Sequence, residues 1–109
     1  MNLQITPFQE YTVVSVEGRI DTTNFSEFEK PIMTLIEGGC SKIILDCSGL
    51  NYISSSGLRV FLIIQKKMKA DKGNFILCSL QPGIKEIFDI SGFSTIFPIF
   101  PDKESAIMG

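Results

Sequence analysis

The chain has 109 residues, 44% of them hydrophobic and 20% charged, which suits one globular domain with its own core and rules out a disordered chain. Ten Lys plus Arg against twelve Asp plus Glu leave a net charge of −2, so no general attraction draws it to nucleic acid. Histidine is absent and the three cysteines, Cys40, Cys47 and Cys78, follow no zinc spacing, which excludes His-based triads, His phosphorelays and most mixed-ligand zinc sites.

The mean hydropathy of +0.24 prompts a search for a membrane span. The densest apolar stretch, Val60 to Ile64, falls far short of the roughly 20 residues a span needs. The start, Met1-Asn2-Leu3-Gln4, lacks the basic and apolar regions of a secretory signal. The expectation is a soluble domain with no membrane and no direct nucleic-acid partner. Free thiols in such a chain point to a reducing compartment, the cytoplasm.

In chain order, Leu3, Ile5 and Phe8 open a first strand, and Tyr11 to Val16 form a second, with Val14 and Val16 on one face and Val13 on the other. Gln9-Glu10 between them predicts a hairpin. Asn24 as cap, with Glu27 three residues on, resembles a capping box and starts a helix whose apolar face is Phe25, Phe28, Ile32, Leu35 and Ile36. Pro31 should kink that helix, and Gly38-Gly39 end it. Lys42 to Cys47, with the run Ile43-Ile44-Leu45, predicts a strand buried on both faces, followed by a loop through Tyr52.

A second helix begins in Ser54-Ser55-Ser56-Gly57 and is apolar around most of its circumference, hence largely buried, with Lys66, Lys67 and Lys69 complementing the dipole at its far end. Phe75 to Cys78 is the next strand. Pro82 opens a third helix with Ile84, Ile87 and Phe88 inside and Gly92 as its end. Thr95-Ile96-Phe97 predicts a last short strand, and Asp102 caps a terminal helix reaching Met108. The order ββαβαβαβα implies an α/β fold in one domain, residues 1–109, with parallel pairs in a mixed sheet.

Reactive ground in such sheets lies beyond the carboxyl ends of the strands. Gly18-Arg19-Ile20-Asp21 and Ser54-Ser55-Ser56-Gly57 should meet there. Three consecutive serines exceed what capping needs, because one hydroxyl suffices. A phosphate at a helix start is tolerated by the dipole and adds roughly −1.5 to −2 charges to the surface, with Asp21 adding to the negative field. Equally, Ser54 or Ser55 caps the helix and the others are loop polar groups. Asp46 is read as the acceptor of an Asx-turn over Ser48–Leu50. A serine hydrolase is disfavoured by the lack of His, of Ser–Lys spacing and of a Gly-x-Ser-x-Gly elbow. Gly18 and Gly38-Gly39 lack the Lys-Ser/Thr of a phosphate loop. No catalytic, cofactor-binding or metal-binding residue is assigned.

At these segments the chain resembles a STAS domain of the anti-sigma factor antagonist family. The resemblance runs through Gly18-Arg19-Ile20-Asp21, Ile43 to Leu50, Tyr52 to Val60, and Pro82 with Ile87-Phe88-Asp89-Ile90-Ser91-Gly92-Phe93. It implies a curved mixed sheet backed by helices, and a binding module rather than an enzyme. It also implies partner exchange: the unmodified antagonist sequesters an anti-sigma factor that is itself a serine kinase, the kinase phosphorylates it, and a PP2C-type phosphatase resets it. Carried onto this chain, Ser56 is the phosphate acceptor. Asp21, Ser54, Ser55, Ser56 and Gly57 form the partner-binding set, with Gly57 allowing close backbone approach. The chain departs from the Asp-Ser-Ser-Gly run of many phosphorylated members by having Ser54 in place of the Asp. The alternative is an unphosphorylated STAS adaptor subunit of a transport ATPase or a stressosome-type assembly. A domain cut from a sulfate-type transporter is disfavoured for want of membrane segments.

Overall fold

The structure, a computed structural model, describes residues 1–109. Strands β1 (Asn2–Phe8) and β2 (Tyr11–Ile20) form the hairpin, and Gln9 in the turn has a φ of 57°. Helix α1 (Phe25–Glu37), β3 (Lys42–Ile53), α2 (Ser55–Ala70), β4 (Asn74–Cys78) and α3 (Pro82–Ser91) follow. A 3-10 turn (Phe93–Thr95), β5 (Ile99–Phe100) and α4 (Lys103–Met108) complete the chain. The sheet order is β1-β2-β3-β4-β5, antiparallel in the first pair and parallel in the other three.

Each parallel crossover steps one strand in the same direction, so crossovers of one hand put α1, α2 and α3 on a single face. That face carries the main core. Val14 and Val16, Ile43 and Leu45, and Phe75 and Leu77 meet Phe28, Ile32, Val60, Phe61, Ile64 and Phe88 from the helices. Phe61 sits at its centre, stacked on Phe28 at 5.3 Å and edge-on to Phe75 and Phe97 at 6.4 and 6.2 Å. Val13, Ile44, Ile76 and Cys78 point to the other face, where Ala106 and Ile107 of α4 cover them. Ile43, Ile44 and Leu45 are fully buried, as a strand covered on both faces requires.

Three local expectations are corrected. Strand β3 does not end near Cys47 but runs twelve residues to Ile53. Its pairing with β2 shifts register between Ser15 and Glu17 and again between Gly18 and Arg19. The polar and glycine residues Ser48, Gly49 and Asn51 therefore mark bulges inside the strand rather than a loop. At Gly49 a Cβ would lie 2.8 Å from Glu17 Cγ and 3.0 Å from the Val16 carbonyl, so the bulge needs a residue without one. The last strand is Ile99–Phe100, because Gly92 with φ 82° feeds a 3-10 turn through Thr95 before the chain extends. Asn24 precedes α1 but its side chain caps nothing in the helix. Its Oδ1 instead accepts from the Asp21 N–H at 2.9 Å, and its Nδ2 donates to the Arg19 carbonyl at 2.9 Å. Helix α1 continues through Pro31 and closes at Gly38, with the Cys40 N–H returning to the Leu35 carbonyl at 3.0 Å.

This arrangement fixes the site's position. β4 pairs with β3 only along Lys42–Asp46, whereas β2 accompanies β3 to Ile53. The carboxyl ends of β2 and β3 thus project past the rest of the sheet, side by side.

Candidate functional site at the carboxyl ends of β2 and β3

Ile20 and Ile53 are register partners at those ends, and the Ser54 N–H donates to the Ile20 carbonyl at 2.9 Å. That bond places the turn after β2, which holds Asp21, directly beside the start of α2. The two segments expected to meet do meet.

Ser54 has the extended backbone of a helix cap, φ −86° and ψ 173°, and its Oγ accepts from the Gly57 N–H at 3.2 Å. Of the two serines that could have capped the helix, Ser54 does. An aspartate fills this position equally well, so the cap geometry does not depend on a charge at residue 54. With the cap satisfied, Ser55 and Ser56 occupy the first two helical positions and enter no side-chain hydrogen bond. Ser55 is exposed and Ser56 half-buried. Gly57 is buried, and a Cβ there would stand 2.8 Å from both Ile20 Cγ2 and Ile53 Cγ1. The missing side chain lets the first turn of α2 lie against the two strand ends, which sets how far Ser56 projects.

Asp21 is turned inward on its own loop. Its carboxylate accepts from Thr23 Oγ1 at 2.6 Å and from the Thr23 N–H at 2.9 Å, and Arg19 Nε lies 3.8 Å away. The Thr23 hydroxyl first, then the Thr23 amide and the Arg19 charge, hold its carboxyl below the usual value of 3.8. The Asp21 carbonyl accepts from the Phe25 N–H at 3.0 Å, so the residue also launches α1. Its carboxylate is thus held on its own loop by Thr23 and Arg19, in the segment that the Ser54–Ile20 bond joins to the start of α2.

Two neighbours were not singled out from the sequence. Arg19 and Tyr52 are register partners, and the guanidinium lies 4.2 Å over the exposed ring. Their adjacency depends on the second register shift, which no spacing in the sequence reveals. Beside Tyr52, a shallow depression of about 240 Å³ runs between β3 and α3, lined by Asn51, Gln81, Ile84 and Ile87. Ile87, expected inside, is 39% exposed along it. Gln81 Nε2 donates to the Ser48 carbonyl at 2.9 Å and ties α3 to the bulge.

Asp46 accepts from the Ser48 N–H at 3.0 Å, as the Asx reading anticipated. All three cysteines are free; Cys47 and Cys78 are buried and Cys40 half-buried. Burial pushes the Cys47 thiol well up and the Cys78 thiol up to about 11. No three His, Cys, Asp or Glu side chains gather as a metal site, and no helix is long and apolar enough to cross a membrane.

The same architecture is found in solved proteins. A Thermotoga maritima protein described as an anti-sigma factor antagonist superposes with a TM-score of 0.92 at 20% identity, over 97% of this chain and 92% of that one. The phosphorylated form of the Bacillus cell fate determinant SpoIIAA superposes at 0.74 with 22% identity, over 98% of each chain. In sequence, BtrV of Bordetella bronchiseptica, named as an anti-sigma factor antagonist, is 33% identical over 106 residues, which is 97% of this chain and 91% of BtrV. The STAS domain pattern itself matches residues 2–106. With a sheet of matching topology, a serine-capped helix packed on the strand ends and that match along nearly its whole length, the chain belongs to the STAS domain family.

Proposed function

We propose that this protein is an anti-sigma factor antagonist that works by partner exchange and has no catalytic activity of its own. Unmodified, it binds an anti-sigma factor serine kinase through Asp21, Ser54, Ser55, Ser56 and Gly57. Phosphorylation of Ser56 by that kinase releases it, and a PP2C-type phosphatase restores the binding form. The exchange takes place in the cytoplasm.

The observation that carries this reading is the division of labour in the serine run. Ser54 satisfies the helix cap at 3.2 Å, while Ser56, half-buried, enters no side-chain hydrogen bond. A phosphate there gains from the positive end of the helix dipole, so the fold tolerates it. The phosphate adds roughly −1.5 to −2 charges to the start of α2. A partner surface fitted to neutral serines then meets repulsion and added bulk. The relatives named as antagonists, and the phosphorylated SpoIIAA among the structural neighbours, support the same assignment.

The test is incubation with the cognate kinase and ATP followed by mass spectrometry. The wild-type chain should gain one phosphate and Ser56→Ala none. A Ser56→Ala protein that acquires phosphate at the wild-type rate rejects Ser56 as the acceptor. The uncharged Ser54 favours a second reading, an unmodified adaptor in a transport ATPase or stressosome-type assembly. In that case Ser56→Ala and Ser56→Asp bind the partner equally well.

A further inference from the structure

Helix α2 carries Arg59, Lys66, Lys67 and Lys69 and no acidic residue, although acids outnumber cations in the chain. Lys67 is paired with Asp71 at 3.6 Å, while Arg59, Lys66 and Lys69 are exposed and belong to none of the ion pairs. Between these cations lies Ile63, 41% exposed, against the expectation that this helix is covered nearly all round. Ile96, from the segment before β5, is 36% exposed beside it. With Leu62 they line an open groove of about 400 Å³.

The groove has a built wall. Gln65 is the one buried polar residue of the chain, and its Nε2 donates to the Ile96 carbonyl at 3.0 Å. That bond fixes the Ile96 segment against α2, so the two apolar side chains are held in place before anything binds. Preorganisation of this kind lowers the ordering cost of association.

We propose that the outer face of α2, from Arg59 to Lys69 and beginning one turn beyond Ser56, docks an acidic amphipathic helix of a partner protein. Arg59 and Lys66 are seven residues apart, about 10 Å along the helix axis. Carboxylates two turns apart on a partner helix share that separation, and the apolar positions between them meet Ile63 and Ile96. Unpaired cations around an apolar strip are complementary to such a helix in both charge and hydrophobicity. An extended anionic polymer fits less well, because the cations follow a single helix and the chain as a whole is negative.

The test uses the full isotope-labelled chain and a synthetic helical peptide of about 15 residues, with Leu along one face and Glu flanking it at seven-residue spacing. A control peptide carries Lys for every Glu. Saturable amide shifts should centre on Arg59–Lys69 and Ile96 and weaken with salt. The control peptide should not bind. Affinity should fall at least tenfold in Ile63→Ser and, separately, in the Lys66→Glu/Lys69→Glu double variant. All three positions are exposed, and thermal melts check that both variants stay folded. The proposal is overturned by the absence of saturable shifts, by equal binding of the two peptides, or by shifts centred elsewhere. It is equally overturned if phosphatidylserine vesicles or single-stranded RNA bind the same residues more tightly than the acidic peptide.

Discussion

Ser54, Ser55 and Ser56 are chemically identical, and the backbone makes them different. Ser54 lies in extended conformation with its Oγ on the Gly57 N–H, so its loss leaves a helix N–H without a partner. Ser54→Ala should cost about 1 kcal/mol, read from urea denaturation, whereas Ser54→Asp should hold stability within a few tenths of that reference, since either oxygen caps. Equal stability of Ser54→Ala and wild type would remove the distinction between the capping Ser54 and the unbonded Ser56. Gly57 is constrained by space: with Ile20 and Ile53 atoms 2.8 Å from an added Cβ, Gly57→Ala should cost about 1–3 kcal/mol through overpacking. At this scale the sequence was partly legible. The serine run and Asp21 stand out as a candidate site because three hydroxyls exceed what one cap needs. Which serine caps was open, since Ser is equally suited to either position. Asn24 misled because its capping-box spacing is real, but its side chain finds nearer partners in the Asp21 amide and the Arg19 carbonyl.

Among the elements, α1 contains the clearest conflict between local propensity and tertiary structure. Pro31 lies within Phe25–Glu37, where it cannot donate to the Glu27 carbonyl. Packing of Phe28, Ile32 and Ile36 into the core holds the helix together around it. An interior proline costs about 3 kcal/mol in a helix, offset by about 1 kcal/mol through a stiffer unfolded chain. Pro31→Ala should therefore raise stability by about 1–2 kcal/mol in chemical denaturation, and a destabilised variant would show that α1 is built around the proline. Strand and helix order was readable because alternating or continuous short apolar runs give way to helical spacing from one segment to the next. The continuation of β3 past Cys47 was not readable. Two register shifts admit Ser48, Gly49 and Asn51 into a strand that ordinary alternation would exclude. The displacement of the last strand to Ile99–Phe100 has a similar cause. Ile96 and Phe97 are apolar enough for a strand, yet Phe97 is drawn under α2 and α3, in contact with Phe61 and Phe88.

For the whole molecule, the ionisable groups frame a plateau of stability. The thiols of Cys47 and Cys78 are raised by burial, the latter to about 11. In the unfolded chain they ionise near 9.0, so above that pH the unfolded state has shed protons that the folded state retains. Folding stability should decline as pH rises from 9.0 toward 11. At the acid end, the Ser94 hydroxyl and then Lys85 lower Asp89, and the Ser105 amide lowers Asp102, as Thr23 does Asp21. These carboxylates add stability above their usual value of 3.8 that is lost as pH falls below it. With no histidine, no side chain of ordinary pKa changes charge in between. Denaturation curves across pH should be flat from about 5 to 8 and fall at both ends; stability rising between 9.0 and 11 would contradict the burial of the two thiols.

Within that plateau no histidine titrates, so the proposed exchange is one driven by covalent charge on Ser56. The central claim is that charge on Ser56 changes what binds and leaves the fold alone. Titration calorimetry of wild type and Ser56→Asp with the cognate anti-sigma kinase tests it most directly, run beside urea denaturation of both proteins. The account predicts affinity at least tenfold weaker for Ser56→Asp with folding stability within about 0.5 kcal/mol of wild type. Equal affinities, or weakened binding accompanied by a stability loss several times larger, would contradict it.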